Sequence, residues 1–264
     1  MSFISKIFGK KEQIKEKGKS NQKPPRKIQP DRIGDLGEYK INIQLDQFPK
    51  NYKHVADFMF VNEKAKSGFS QIDHILLSPY GIFVIETKNY SGEIVGSKSD
   101  KQWTVNKKHK VMNPFHQNYG HIQTIKQALQ LSEAHPIFSM ISFTRRATFR
   151  TDPELRKIQS TQLCVYDTEL TEFINRKINV MKLQNSTPVF TDSEIEDMFH
   201  TLKVINITDA QMRENHKAAL KSDITFQGAT CVTCGVKVSE KVKQFCLSNK
   251  KFEGKIYCFQ HQKR

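Results

Sequence analysis

The sequence lacks the long hydrophobic runs that mark membrane and secreted proteins. In 264 residues, no run approaches the ~18–20 apolar residues that a membrane-spanning helix needs. The longest apolar runs are short, such as residues 82–85, and the mean hydropathy is −0.58. The N-terminal region is basic, without the apolar segment of ~7–15 residues or the small-residue cleavage site of a secretory signal. These absences argue against both classes.

Cysteine is scarce in most of the chain. Of the five cysteines, four fall within the last 34 residues. An odd number in this arrangement is not typical of a secreted disulfide framework, and it favours a metal site in a reducing cytoplasm. The sequence has no internal repeat.

Acidic residues are scarce at both ends of the chain. Residues 1–30 hold nine basic and two acidic residues, and residues 217–264 hold ten and three. Residues 31–216 are nearly balanced, with 23 basic and 22 acidic residues. Cationic ends suit a polyanion, because each basic side chain that neutralises a phosphate releases a counterion. Nucleic acid is therefore the expected partner, ahead of a membrane surface, although solubility alone would also explain the basic N-terminus.

Composition divides the chain into four segments. Residues 1–32 form a basic arm with few core-forming side chains, predicted to be flexible. Residues 33–143 have a globular α/β pattern, and residues 144–227 are rich in predicted helix. Residues 228–264 form the cysteine-rich end. Within the arm, residues 1–11 place four apolar side chains on one side of a short helix, so docking on a membrane surface or a partner is an alternative role.

Apolar periodicity predicts the secondary structure. Strands are expected at residues 52–61, 72–78, 82–88, 93–95, 102–106, 108–112, 137–143 and 162–166. Helices are expected at residues 34–47, 113–132, 168–178, 193–203 and 209–220. One face of the first helix is expected to carry Leu36, Tyr39 or Lys40, Ile43 and Gln47. Apart from the three short strands at residues 93–112, the order is helix, three strands, helix and strand. This order indicates an α/β or α+β fold, with helices flanking a central sheet.

The most informative segment is a predicted hairpin with the turn Ser78-Pro79-Tyr80-Gly81, whose Pro and Gly suit a type I turn. If the first and last turn residues pair, all paired positions sum to 159. Asp73 then lies opposite Glu86, and Gln71 lies opposite Lys88. Because side chains alternate along a strand, all four share one face of the sheet. A one-residue bulge in the turn would instead put the two pairs on opposite faces.

This face of the hairpin carries the types of side chain that metal-dependent chemistry needs. Two carboxylates opposite each other destabilise a bare sheet, and a divalent cation between them would remove the repulsion. The oxygens of Asp73 and Glu86 suit Mg²⁺ or Mn²⁺, and the nearby Lys88 ammonium can position a water or stabilise charge on a phosphate oxygen. The alternative is a set of solvent-facing charges. However, both acids lie among apolar residues, where charges are usually functional or paired.

Several segments together resemble the nuclease-related domain family. The matching segments are Gly37-Glu38, Gln71-Ile72-Asp73-His74, Gly81 to Gly92 with its Glu-Thr-Lys-Asn-Tyr-Ser-Gly ending, Trp103, and Asn113-Pro114 followed by Gln117. The resemblance covers residues 33–132, and the pair of hairpin motifs is highly specific. This family is similar to the PD-(D/E)xK nuclease superfamily, which includes restriction-type endonucleases and junction resolvases. One departure from the superfamily pattern is that Ile72 rather than proline precedes the aspartate.

The resemblance implies a restriction-endonuclease-like fold and a nuclease that depends on Mg²⁺ or Mn²⁺. By position, it implies that Asp73 and Glu86 are metal ligands and that Lys88 is the catalytic lysine. It also implies that Glu38 is the helix acid that joins the metal site or orients water, and that Gln71 assists.

Other candidate groups are weaker. Gln117 and His116 lie on the helix that follows Asn113-Pro114, and from there they can reach the site or the phosphate backbone of the substrate. Gln117 is the stronger of the two candidates. His74 points away from the neighbouring aspartate and is expected to be a packed or hydrogen-bonded histidine. Trp103 is expected to be a structural anchor, and Cys164 a buried, inert thiol.

The cysteine-rich end has the spacing of a zinc site. Cys231 and Cys234 form one Cys-x2-Cys pair, and Cys258 and His261 form a Cys-x2-His pair, which together suit tetrahedral Zn²⁺. Cys246 lies midway and is expected to be a buried thiol. An all-cysteine site that includes Cys246 and omits His261 is the alternative. So short a segment usually needs a metal or disulfides to fold, which supports a zinc-binding module.

Together these features predict a cytoplasmic, metal-dependent nuclease-like protein that hydrolyses phosphodiester bonds, with DNA favoured as the substrate. The basic ends and the zinc module are expected to hold the nucleic acid. The alternative is a nucleic-acid-binding or scaffolding protein that keeps the fold without catalysis. The intact set of Asp73, Glu86 and Lys88 favours the enzyme.

Overall fold

The computed structural model describes residues 30–263, apart from residues 64, 66, 225–228, 237 and 239. Residues 1–29, which include most of the basic arm and the possible docking segment 1–11, lie outside the described residues. The last three residues assigned to the arm belong to the first helix, which begins at Pro30.

The described residues form six α-helices and nine β-strands, which confirms a mixed α/β fold. The helices are α1 Pro30–Leu45, α2 Pro114–Ala128, α3 Leu170–Gln184, α4 Asp192–Ile205, α5 Ala210–Ile224 and α6 Glu240–Ser248. The strands are β1 Lys53–Val61, β2 Phe69–Ser78, β3 Gly81–Lys88, β4 Gly92–Gly96, β5 Gln102–Val105, β6 His109–Met112, β7 Ile137–Phe143, β8 Ala147–Thr151 and β9 Gln162–Tyr166. Within the described ranges, no helix combines the length and apolar character needed to cross a bilayer.

The strands form two mixed sheets, which the sequence pattern did not separate. The main sheet has the order β1-β2-β3-β7-β9, with antiparallel pairing from β1 to β3 and parallel pairing from β3 to β9. The second sheet has the order β6-β5-β4-β8. Strands β8 and β9 come from the segment assigned as an α-rich extension, so both sheets continue past residue 143. Strand β8 and helix α6 were not predicted.

Helices cover both faces of the main sheet. On one face, Leu76 and Phe83 of the hairpin pack in a cluster with Ile41 of α1 and Ile174 of α3. On the other face, a second cluster joins the hairpin to α2 and α4. Its buried members include Ile75, Leu77, Ile82, Val84, Ile125, Ile195 and Leu202. Burial on both faces explains why β2 and β3 are almost continuously apolar.

The face of α1 that packs on the sheet differs from the prediction. Leu36, Tyr39 and Ile43, which were expected on one apolar face, are each at least 47% exposed. Instead, Ile41 and Leu45, one helical turn apart, are 1% and 2% exposed. The two sets lie on different sides of the helix, and the contact with the sheet decides between them.

Three helix boundaries also differ from the periodicity. Helix α2 ends at Ala128 instead of residue 132, and Gln130 has a positive φ of 53°, which helical backbone does not adopt. Helix α3 continues to Gln184, six residues beyond the predicted end. Helix α5 continues to Ile224.

Candidate active site and metal centre

The hairpin has the predicted register up to the site. Its turn residues Ser78 and Gly81 pair, and the ladder continues to His74 and Ile85, with every pair summing to 159. The ladder ends there. Beyond it, the carboxylate of Asp73 accepts hydrogen bonds from the backbone N–H of Thr87 at 2.7 Å and from its hydroxyl at 2.6 Å. A side chain thus replaces a backbone partner at the point where the two strands separate.

The alternation of β2 is also interrupted at this point. Ile72 and Ile75 lie three residues apart, yet both pack in the cluster that faces α2 and α4. On the neighbouring strand, Asp57 lies opposite this point and has a positive φ of 52°. The irregular backbone and the candidate site therefore coincide.

Glu86 is the centre of a buried polar network. This residue lies on β3 and is only 4% exposed. Its Oε1 accepts from Lys88 Nζ at 2.6 Å and from Gln117 Nε2 at 2.8 Å, and Lys88 Nζ also donates to Gln117 Oε1 at 3.0 Å. Burial opposes the charge on the lysine, but the adjacent Glu86 carboxylate keeps the pKa of Lys88 above its usual value.

Helix α2 is fixed so that one of its faces meets Glu86. The buried Asn113 caps the helix by accepting from the N–H of Phe115, and Pro114 occupies the first turn. Asn118 donates to the Val84 carbonyl at 2.9 Å and so ties the helix to β3. Gln117 lies next to this anchor on the helix.

His121 lies one helical turn after Gln117 and faces the same carboxylate, with its Nδ1 3.6 Å from Glu86 Oε2. Both atoms are buried and lack a hydrogen-bond partner in the described part of the chain. Burial and the Lys88 charge lower the pKa of His121 to about 4, so the imidazole is neutral. No role was predicted for His121 from the sequence, although its i+4 spacing from Gln117 was visible.

The candidate groups surround one cavity of about 390 Å³. The predicted residues that line it are Glu38, Gln71, Asp73, Glu86 and Gln117. Lys88 lines an adjoining small cavity with Glu38 and contacts Glu86 directly. The structure thus brings all six predicted core-site residues to one region.

Gln71 points somewhat aside from the carboxylates. Its amide donates to Asp57 Oδ1 at 2.6 Å, and Asp57 Oδ2 in turn accepts from Arg213 of α5 at 2.5 Å. Arg213 also donates to the Ile207 carbonyl at 2.7 Å. This chain of contacts fixes α5 beside the cavity, where His216 and neighbouring residues form part of the wall. The sequence did not predict this wall, because α5 lies more than 100 residues from the hairpin.

Negative charge accumulates in the cavity. Burial and the Glu86 carboxylate raise the pKa of Asp73 to about 7, against the opposing effects of the Thr87 hydrogen bonds and Lys88. The unpaired Oε2 of Glu86 is a second sign, because a buried acceptor without a partner costs free energy. A divalent cation would relieve both, so Asp73 and Glu86 fit a cation with oxygen ligands.

Most of the weaker candidates are buried and packed against other side chains, as expected for structural residues. His74 is 1% exposed, and its Nδ1 lies 3.3 Å from Nε2 of His54. Trp103 is buried against Phe115 and donates to the Ser97 carbonyl. Burial raises the pKa of the Cys164 thiol far above its usual range. His116, by contrast, is exposed to solvent.

A second constellation lies in the cysteine-rich end. The side chains of Cys231, Cys234, Cys258 and His261 place their ligand atoms within 4.8 Å of one another. Within the described residues, this set is the one group of three or more Asp, Glu, His or Cys side chains whose ligand atoms come together in this way.

The distances within this set suit a tetrahedral metal. The Cys234 and Cys258 sulfurs are 3.7 Å apart, and His261 Nδ1 lies 3.5 Å from Cys231 Sγ and 3.2 Å from Cys258 Sγ. Around a tetrahedral Zn²⁺ with Zn–S of about 2.3 Å, two sulfurs lie about 3.8 Å apart and sulfur and nitrogen about 3.6 Å. The Cys3His set can therefore hold a metal ion such as zinc.

The local backbone supports a thiolate at Cys231. Although desolvation opposes it, backbone hydrogen bonds from Cys258, Thr233 and Cys234 lower the pKa of Cys231 to about 5. Gly235 follows the first pair with φ of 68° and donates to the Cys231 carbonyl at 2.8 Å, which closes the turn.

Cys246 lies outside the Cys3His set. It is fully buried, and its sulfur lies 3.4 Å from both the carbonyl oxygen and the nitrogen of Tyr257. The geometry thus favours the set with His261 over the all-cysteine alternative.

Comparison with known proteins agrees with the motifs. Residues 33–144 match the model of the nuclease-related domain family. Residues 33–144 are therefore similar to the nuclease-related domain, which agrees with the resemblance that the motifs indicated. It is 29% identical over 198 residues to an uncharacterized protein of Bacillus anthracis, a match that covers 74% of this chain and 86% of that relative. No solved structure matches the chain. The family region includes the hairpin and α2, whereas α5 and the Cys3His set lie outside it.

Proposed function

We propose that this protein is a metal-dependent nuclease that hydrolyses phosphodiester bonds of nucleic acid, with DNA as the favoured substrate. The observation that carries the proposal is Glu86, a buried carboxylate with one unpaired oxygen beside Asp73 and next to the Lys88 ammonium. A nuclease-related domain over the same residues supports it.

The residues have distinct roles in this proposal. Asp73 and Glu86 hold Mg²⁺ or Mn²⁺, which supplies a Lewis acid that stabilises negative charge on a phosphate oxygen. Lys88, which the Glu86 carboxylate keeps protonated against the opposing effect of burial, positions water or stabilises charge on the substrate. Gln117 orients Lys88 and Glu86 by bonding to both. Glu38 orients water. Gln71 assists by its hydrogen bond to Asp57, which holds the wall of the cavity.

We also propose that the Cys3His set holds one Zn²⁺ with a structural role, because four protein ligands leave no position for water. Basic residues around this module and in the N-terminal arm would contact the phosphate backbone. A metal-binding set of cysteines, in place of disulfides, supports a reducing, cytoplasmic setting.

The decisive test compares wild type with Glu86→Gln on labelled single-stranded and duplex DNA and RNA, with Mg²⁺, Mn²⁺ or EDTA. Wild type is expected to cleave only with the metal, and Glu86→Gln to lose at least about a hundredfold in rate. Lys88→Ala is expected to lose rate strongly with little change in nucleic-acid binding. Glu172→Gln, an exposed acid of α3, is the control and should cleave like wild type.

A second candidate function is nucleic-acid binding without catalysis. It is favoured by the fact that Glu86 Oε1 accepts hydrogen bonds from both Lys88 and Gln117, with which a cation would have to compete. Binding of oligonucleotides without cleavage under any metal condition would decide for this second function. Equal cleavage by wild type and Glu86→Gln would also contradict the proposed site.

A further inference from the structure

The near-neutral charge of the central region conceals a strong local imbalance. Residues 92–112 and 144–151 together hold eight basic and two acidic residues. The rest of residues 31–216 holds fifteen basic and twenty acidic residues. These two segments contain all four strands of the second sheet. The positive charge of the central region is therefore concentrated on one small sheet.

The second sheet has one buried face and one open face. Ile94, Trp103 and Val105 point inward and are buried in the third apolar cluster. The opposite face is traversed by a row that the pairing fixes as Lys110, Thr104, Val95 and Arg150, one residue from each strand. A cation therefore lies at each end of this row. Both are exposed, and the side chain of Arg150 is 70% exposed.

A groove of about 510 Å³ lies on the open face over β5 and β6. It is lined by Lys101, Gln102, Thr104, Lys110 and Met112. Its size is within the range of sites for small organic groups such as a nucleotide, roughly 300–1,000 Å³. Its lining combines two ammonium groups with neutral donors and one apolar side chain, which is 63% exposed. Such a lining suits phosphate together with an apolar ring or sugar.

Several cations of this face are available to an anionic partner. Within the described ranges, Lys101 and Lys110 have no carboxylate at ion-pair distance. Arg150 and Lys107 share a single acid, Glu93. One carboxylate between two exposed cations leaves net positive charge, which phosphates can neutralise.

The open face is continuous with the candidate active site. Arg146, directly before β8, donates to the side chain of Asn89, which follows Lys88 in the chain. Asn89 and Lys88 line the same small cavity as Glu38. A strand bound along the basic face would thus run toward the carboxylates and the lysine.

We propose that the open face of the second sheet binds the phosphodiester backbone of nucleic acid and directs it to the active site. We define this basic sheet face by Lys101, Lys107, Lys110, Arg146 and Arg150. The proposal rests on the proposed nuclease function for the direction of the strand, but the docking itself depends only on charge and shape. It assigns substrate docking to the folded centre of the chain as well as to its basic ends.

The test is binding of fluorescently labelled single-stranded DNA, duplex DNA and single-stranded RNA to the full-length zinc-loaded protein, without Mg²⁺ or Mn²⁺. The variant Lys110→Gln/Arg150→Gln is compared with Lys157→Gln/Arg176→Gln, which removes the same charge from cations that are 60% and 62% exposed elsewhere. The first variant is expected to bind roughly tenfold more weakly, with the slope of log affinity against log salt reduced by about 1–2. The control pair should follow wild type. Thermal unfolding confirms that both variants are folded.

Two results would overturn this inference. The first is equal affinity and salt slope in the two variants. The second is binding of wild type to anionic vesicles of phosphatidylserine and phosphatidylcholine but to none of the oligonucleotides.

Cleavage with Mg²⁺ or Mn²⁺ is measured on the same samples and reports separately on the proposed function. A basic-face variant that binds like the control while wild type cleaves would remove the docking face and leave the nuclease intact. Weaker binding by that variant, with no cleavage by wild type, would support the docking face and contradict the nuclease function.

Discussion

At Glu86 the protein buries a carboxylate, and one of its oxygens has no hydrogen-bond partner among the residues that the structure describes. Removing a charged group from water costs several kcal/mol, and one ion pair with Lys88 repays this only in part. The remaining cost is concentrated where Asp73 adds a second negative charge. This arrangement costs stability, and that cost supports the cation that we propose for this site.

Glu169 offers a pH test of an ion pair away from the site. Partial burial opposes its charge, but hydrogen bonds from Arg156 and the Tyr166 N–H lower the pKa of Glu169 below 4.5. The unfolded chain therefore binds more protons as pH falls, so this stabilisation is fully present above pH 4.5 and is lost below it. Glu169→Gln should lower the free energy of unfolding by about 1–2 kcal/mol at pH 7.

The measurement is urea unfolding of wild type and Glu169→Gln between pH 7 and pH 3.5. The difference between the two should shrink as pH falls. Glu172→Gln, which removes an exposed helix pair, should differ from wild type by less than about 1 kcal/mol. A difference for Glu169→Gln that stays constant with pH would show that packing, not charge, explains its effect.

Substitutions of Cys258 and of Cys246 should have opposite effects on zinc binding. Cys258→Ser removes a sulfur that lies 3.2 Å from His261 Nδ1 and should abolish stoichiometric zinc. Cys246→Ser alters a buried thiol bonded to Tyr257 and should retain one zinc per chain. Native mass spectrometry with elemental analysis measures both. Zinc that survives Cys258→Ser, or disappears in Cys246→Ser, would refute the Cys3His assignment.

At the scale of elements, the hairpin turn and helix α2 position the site. The Ser78 hydroxyl donates to the Gly81 carbonyl at 2.6 Å and closes the turn. Gly81 has φ of 143°, and an added Cβ would lie 2.6 Å from a ring carbon of Phe138 on β7. The turn therefore requires glycine, both for its backbone and for the close contact with β7.

Gly81→Ala is predicted to destabilise the protein by about 1–3 kcal/mol, because it combines backbone strain with a steric clash. Gly120→Ala is the matched control. Gly120 lies inside α2 with nothing within 4 Å of an added Cβ, so this change should stabilise the helix by up to about 1 kcal/mol. Chemical unfolding of both variants measures the two opposite signs. Stabilisation by Gly81→Ala would mean that the turn relaxes more readily than the contact with Phe138 indicates.

At the scale of the whole molecule, the sheets and the cysteine-rich end have separate apolar cores. The three large clusters of buried residues belong to the two sheets and helices α1 to α4. The described part of the cysteine-rich end buries only a few large side chains, among them Val238, Cys246 and Phe252. So small a core cannot offset the entropy of folding alone, so folding of this end should be coupled to zinc.

Chelation of zinc should therefore unfold the cysteine-rich end while the two sheets stay folded. Hydrogen exchange followed by mass spectrometry is expected to show loss of protection in α6 and unchanged protection in β3 and β7. The module carries much of the positive charge of residues 217–264, so oligonucleotide binding should weaken as well. Protection that persists in α6 after complete removal of zinc would contradict coupled folding.

The sequence by itself determined the local features of this protein. The apolar runs and the turn of the hairpin define its register, because a shift by one residue would move the buried side chains of β2 and β3 to the wrong face. The spacing of Cys231, Cys234, Cys258 and His261 likewise predicted a set that the structure brings together. Both features depend on short-range geometry, which the order of residues specifies directly.

Only the tertiary structure decided which surfaces meet. Packing on the main sheet selected Ile41 and Leu45 of α1 over the exposed Leu36 and Ile43, since apolar residues on both sides allowed either choice. It also brought Arg213 of α5 to Asp57 and placed β8 beside β4. The basic sheet face exists only after that pairing, because it joins cations that are about forty residues apart in the chain. Such contacts depend on how distant elements pack together, which no local pattern encodes.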